Sequence, residues 1–86
     1  GHLVVIGGIL ENVKRIFTKK SNAEMAFVTI ANENGTQIEG VVFPKVFEQY
    51  KELLIKDIVV VAEGKVDFRD GQRVILLQKL SRPKNG

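Results

Sequence analysis

The sequence contains no cysteine and no tryptophan, and its single histidine stands at position 2. Without thiols there is neither a disulfide framework nor a thiolate metal site, and one histidine excludes an imidazole-based centre. No apolar run approaches the roughly 18 residues that a membrane span requires. No secretory pattern opens the chain, so the default expectation is a cytoplasmic domain that meets no membrane. Also missing are a Ser/His/Asp grouping, an acid pair in an apolar setting and a phosphate-cradling glycine loop. No catalysis, no cofactor and no small-molecule substrate is expected of this chain by itself. Aromatic residues are scarce as well, five Phe and one Tyr, so the address of each one matters.

What is present fits one small domain. At 86 residues a single core only just offsets chain entropy. Hydrophobic residues at 44% and charged residues at 27% are ordinary for a globular domain. The net charge of +3 is compatible with a polyanionic partner without demanding one. Gly1-His2 reads as a remnant of tag cleavage and is left out of the fold reading.

Residues 3–17, LVVIGGILENVKRIF, read as one long strand with a bulge or bend at Gly7-Gly8. Val4, Ile6, Val13 and Ile16 are its core candidates, and Glu11, Lys14 and Arg15 its solvent contacts. The polar stretch Thr18 to Glu24 forms the first loop. A second strand runs to about Ala31, and Asn34-Gly35 supplies a hairpin turn. The third strand covers about Thr36 to Phe43. In PKVFEQYKELL, Val46, Phe47, Tyr50, Leu53 and Leu54 recur at helical spacing behind a favourably placed proline, which predicts a helix of about three turns. Asp57 to Val66 is a fourth strand, bent at Gly64. Asp67 to Gln72 is a second hairpin loop, and Arg73 to Leu80 is the last strand. Asp57, Asp67 and Asp70 read as turn and capping residues. Residues 81–86 read as a polar tail or linker.

Strand, strand, strand, helix, strand, strand is the order of the all-β oligonucleotide/oligosaccharide-binding (OB) barrel: five antiparallel strands, with one short helix between the third and fourth plugging an open end. The expected domain is residues 3–80. Inside such a barrel Ala26, Val28 and Ile30 face Ile38, Gly40 and Val42. Met25, Phe27 and Thr29 then point outward beside Gln37, Glu39 and Val41. The outer face of strands two and three is where this fold binds its ligand, and an aromatic ring there is a stacking platform for a base. Packing of Phe27 beneath a loop or against a neighbouring domain is the competing structural reading. Lys19 and Lys20 in the first loop, with Arg69 and Arg73 around the last, border that face and are placed to contact phosphates. Lys14 and Arg15 extend the same edge, but adjacent strand residues point to opposite faces, so only one of them reaches it. The candidate nucleic-acid-binding set is therefore Phe27, Lys19, Lys20, Arg69, Arg73, Met25, Thr29, Glu39 and Lys14.

The segments GGILENVKRIFTKKSNAEMAFVTIANENGTQIEGVVFP, FEQYKELL and VVVAEGKVDFRDGQRVILLQKL resemble the OB domain of bacterial replicative DNA polymerase III alpha subunits. The resemblance spans about residues 3–80 and is most specific in MAFVT, in VVFP with the following Tyr50, and in the EGKV-x-x-RDG hairpin. Asn32-Glu33-Asn34 departs from the acidic pair that the family often has before the glycine. The resemblance implies one module near the end of a very long polymerase chain, binding single-stranded template DNA, with the polymerase active site elsewhere. Residue by residue it carries over to Lys19, Lys20, Phe27 and Arg69. It also implies other domains of the same chain, and replisome subunits, as partners. The strand pair is similar too to the anticodon-binding OB domain of class II aminoacyl-tRNA synthetases. A third reading is a protein-docking module that uses Met25, Phe27 and Val41.

Overall fold

The computed structural model of the protein describes residues 2–83. Leu3–Phe17 forms a single 15-residue strand, β1, followed by β2 (Glu24–Ala31) and β3 (Gln37–Val42). The helix α1 (Pro44–Tyr50) continues into a 3-10 turn at Lys51–Leu53, and then come β4 (Val59–Arg69) and β5 (Gln72–Ser81). The helical segment is thus two α-turns and one tighter turn, the roughly three turns that the periodicity predicts, with the last one wound as a 3-10 helix. The last two strands reach further into their hairpin than expected, leaving only Asp70-Gly71 as the turn. β5 also takes in Ser81; of the expected tail, residues 84–86 lie outside the described residues, as does Gly1 of the expected tag remnant. The carbonyl of His2 accepts a bond from the Val66 amide at 3.1 Å.

The sheet closes into a barrel in the order β1-β2-β3-β5-β4, with β4 returning to β1. Four contacts are antiparallel, but β3 and β5 pair in parallel through Glu39–Val74, Gly40–Ile75 and Val41–Leu76. The barrel is therefore mixed rather than purely antiparallel. Helix α1 lies between β3 and β4 in sequence, which lets β5 run alongside β3 in the same direction. Phe47 enters the core from the helix, and Val46, Tyr50 and Leu53 pack against it. This is the plug that the single apolar stripe predicts.

Closure needs one strand to serve two neighbours. The first half of β1 pairs with β4 (Leu3–Lys65 to Ile9–Val59), and the second half pairs with β2. The register slips between Leu10 and Asn12, so Glu11 is the extra residue. Leu10, fully buried, is held by Asp57 and Ile58, whose amide and carbonyl bond its backbone at 2.7 and 2.9 Å. The bulge therefore sits at Glu11 and not at Gly7-Gly8. It also reverses which side chains point inward. Val13 lies opposite buried Val28, whereas Ile16 lies opposite Met25 on the outer face, and the expectation of Ile16 as a barrel-interior residue is corrected accordingly. A second slip at Gly64 bends β4, as its glycine predicted.

Gly8 owes its identity to crowding. A Cβ there would overlap the carbonyl oxygen of Ala31 and come within 2.9 Å of Ile30 Cγ2, whereas a Cβ on Gly7 meets nothing within 4 Å. Gly8→Ala should therefore cost about 2–3 kcal/mol of stability, since backbone must shift to admit it. Gly7→Ala should stay within about 0.5 kcal/mol. Urea denaturation of the two variants checks the contrast.

Candidate nucleic-acid interface

β2 alternates as the pleat requires. Ala26, Val28 and Ile30 are at most 1% exposed and form the core with Val42, Leu77 and Val60, while Phe27 between them is 39% exposed. Phe27 is thus displayed, not buried in the barrel. The pairings place it in one outward-facing row that crosses the strands in register: Lys14, Phe27, Val41, Leu76 and Lys65. Phe43 follows Val41 on the same alternation, its backbone still extended at φ −69°, ψ 161°, and its ring is 38% exposed.

Two expected members of this face are not solvent-accessible. Met25 is 8% exposed and Val41 4%. Both point outward, but bulky neighbours in register displace water from them: Ile16 lies opposite Met25, and Phe27 and Leu76 flank Val41. The apolar outer face of β2 is therefore a thin second layer, and Phe27 and Phe43 are its exposed aromatics.

The basic residues divide. Lys14 stands beside Phe27 in register, whereas Arg15 turns to the barrel end. There its guanidinium lies 5.6 Å from the centroid of the Phe47 ring and donates from Nη2 to the Leu54 carbonyl at 3.4 Å. Of the adjacent pair, Lys14 is the one that joins the face. Lys19 and Lys20 are exposed in a compact turn that Thr18 organises, its hydroxyl accepting from the Ala23 amide at 3.2 Å and meeting Ser21 Oγ at 3.0 Å. Arg69 lies opposite Gln72 on the hairpin side that carries Asp67 and Val74. Arg73 lies opposite Phe68 on the reverse side, so the two arginines do not act from one surface.

Thr29 and Glu39 are cross-strand partners, with the threonine hydroxyl donating to the carboxylate at 3.2 and 3.3 Å. Their row continues through Val74 to Asp67. One row of the face thus carries lysines and the next carries acids. Phosphates are attracted to the first and repelled by the second, while a carboxylate accepts N–H donors from base edges. Asp57 and Asp70 occupy positive-φ turn positions, at 73° and 52°, as expected of them; Asp67 instead lies in β4, with Oδ2 3.5 Å from Arg69 Nε.

Sequence reasoning passed over Phe43, Leu76 and Lys65. Extending the Glu39–Val41 alternation by two residues points to Phe43, whose place directly before the helix-starting Pro44 masks its strand character. Leu76 and Lys65 needed the β3–β5 and β4–β5 registers, which no local pattern encodes. A groove of about 620 Å³ lies away from this face, lined by Gly7, Ile9, Asn32, Glu33 and Val59 among others. Among the described residues it carries no basic side chain.

The sequence matches the family described as OB-fold nucleic acid binding domain over residues 4–81. It is 37% identical over 70 residues, 81% of this chain, to the DNA polymerase III subunit alpha of Staphylococcus aureus strain MRSA252. Over 78 residues, 91% of this chain, it is 36% identical to the protein of the same name from Borreliella burgdorferi. The chain spans 6% and 7% of the lengths of those two proteins. A closed five-stranded barrel with its helix between β3 and β4, matched over nearly its whole length, places this chain in the family of OB-fold nucleic acid binding domains.

Proposed function

We propose that the domain binds single-stranded DNA as a non-catalytic module of a replicative polymerase chain of the alpha-subunit type, a reading that implies a cytoplasmic location. The observation that carries this is the exposed Phe27 ring beside Lys14 on the outer face of β2 and β3. A base stacks on Phe27, and Thr29 and Glu39 meet base edges. Lys14, Lys19, Lys20 and Arg69 follow the phosphates, with Arg73 reaching them only from the far side of the hairpin. The relatives' names support DNA over an anticodon loop as the ligand. Polymerisation would belong to other parts of such a chain.

With about three or four phosphates neutralised, the slope of log K against log salt should be roughly −2 to −3 for a single strand. Affinity should be on the order of 10–1000 μM near physiological salt, around and somewhat weaker than ordinary non-specific binding. Lys19→Ala with Lys20→Ala should weaken binding and flatten the slope by about 1–2. Single strands should outcompete duplex of equal length, because stacking needs unpaired bases. Fluorescence-anisotropy titrations with single-stranded DNA, duplex DNA and an anticodon stem-loop at several salt concentrations test all of this. Equal or tighter duplex binding contradicts the role of Phe27, and a preference for the stem-loop moves the function to RNA.

A docking role is favoured by a different surface from the one expected. Met25 and Val41 are covered, whereas Leu3, Val5, Ile9 and Val59 are 43–63% exposed on the outer face of β1 and β4. That face suits an apolar contact with another domain of a longer polypeptide, and such a contact would not weaken with salt as phosphate binding does.

A further inference from the structure

We propose that Phe43 is a second base-stacking platform beside Phe27, and that Arg69 covers it in the free protein and leaves it for a phosphate when a base arrives. This rests on the reading that the β2–β3 face binds single strands.

Phe27 lies directly opposite Val41, and Phe43 is two residues further along the same alternation. Such diagonal neighbours on paired strands are about 7–8 Å apart. Successive bases of an extended strand can therefore rest on successive rings. The two rings are also almost equally exposed, at 39% and 38%.

Phe43 differs from Phe27 in one respect: its face is occupied. The Arg69 guanidinium carbon lies 5.9 Å from the Phe43 ring centroid, and Arg69 Nε lies 3.5 Å from Asp67 Oδ2. The cation–π contact and the ion pair both involve half-exposed groups, so both are weak and exchangeable. A base offers the ring a larger flat partner than a guanidinium does, and its phosphate offers two oxygens that the planar guanidinium fork of Arg69 can bond together. Asp67 opposes the exchange by holding Arg69 where it is. The last hairpin is then a cover tethered by its own acid, opened by the same ligand that it contacts.

Substitutions at Phe43, Asp67 and Asp70, with Phe27→Ala for comparison, test this in anisotropy titrations with an eight-residue oligothymidylate. Phe43→Leu, which keeps bulk but loses the π-face, should weaken binding about 5- to 100-fold, as should Phe43→Ala. Asp67→Asn should tighten binding about 1.5- to 5-fold, the loss of an exposed ion pair that held Arg69 back. Asp70→Asn, which removes the same charge from the same hairpin but leaves the Arg69–Asp67 pair in place, should tighten it less. In parallel, the Arg69 Nε–H resonance should move from a ring-shielded position in the free protein to a phosphate-bonded one on titration. Wild-type affinity in Phe43→Leu, with Phe27→Ala weakened, overturns the second platform. Equal effects of Asp67→Asn and Asp70→Asn, with a stationary Arg69 signal, overturn the cover. If the unaltered protein binds no oligothymidylate, the binding reading itself fails and this inference falls with it.

Discussion

Phe47→Ala should remove about 3–5 kcal/mol of folding stability, the cost of a core phenylalanine truncation. The ring is 1% exposed and closes one end of the barrel with Leu54, among side chains from the strands. It also carries Arg15 on its face, and the Phe47 amide anchors the first helical turn to the Phe43 carbonyl at 2.8 Å. A domain of this length has roughly 4–13 kcal/mol in total, so the variant forfeits a large part of it. Thermal melts should fall by about 15–30 °C. Phe47→Leu, which keeps most of the volume, should cost much less. A loss below about 1 kcal/mol for Phe47→Ala would mean that the helix is not the plug of the barrel.

Phe27→Ala should do the opposite. If a base stacks there, single-strand affinity should drop by about 1–3 kcal/mol. Stability should fall by only about 1 kcal/mol or less, the scale of a cross-strand pair such as Phe27 with Val41. The salt slope should not change, because no phosphate contact is lost. Val28→Ala, one residue along and 1% exposed, should be the mirror image: about 2 kcal/mol of stability lost and binding by the folded protein preserved. Melts and titrations on both variants decide the matter. Unfolding by Phe27→Ala with Val28→Ala tolerated would turn the strand inside out.

The barrel was legible in the sequence because its local signals agree with its global form. Asn32 shows this well: its side chain accepts from the amides of Asn34 and Thr36 at 2.9 and 3.0 Å, and Gly35 takes φ 80°, so the turn encodes itself. The helix start at Pro44 and the small inward residues of β2 are equally local. What was not legible depends on partners distant in sequence. The bulge lies at Glu11 because the Asp57-Ile58 backbone grips Leu10, and nothing near Glu11 announces it. The glycine pair did not mark the bulge: the register runs unshifted through Gly7 and Gly8, and Gly8 is required by the approach of Ala31. The outward direction of Phe27, Thr29, Glu39 and Lys14 was legible because strand alternation alone assigns their face. The burial of Met25 was not legible because alternation gives direction and not cover; Ile16, opposite it across the strand pair, is distant in sequence. Arg73 was grouped with Arg69 because both flank the same turn, but the register sets them on opposite sides of the hairpin.

The most direct test of a stacking face on β2 and β3 is a two-dimensional NMR titration of the labelled domain with single-stranded DNA. Shifts should concentrate on Lys14, Phe27, Thr29, Glu39 and Phe43, with the lysines of the first loop following. Shifts confined to Leu3, Val5, Ile9 and Val59, or none at millimolar DNA, would contradict it.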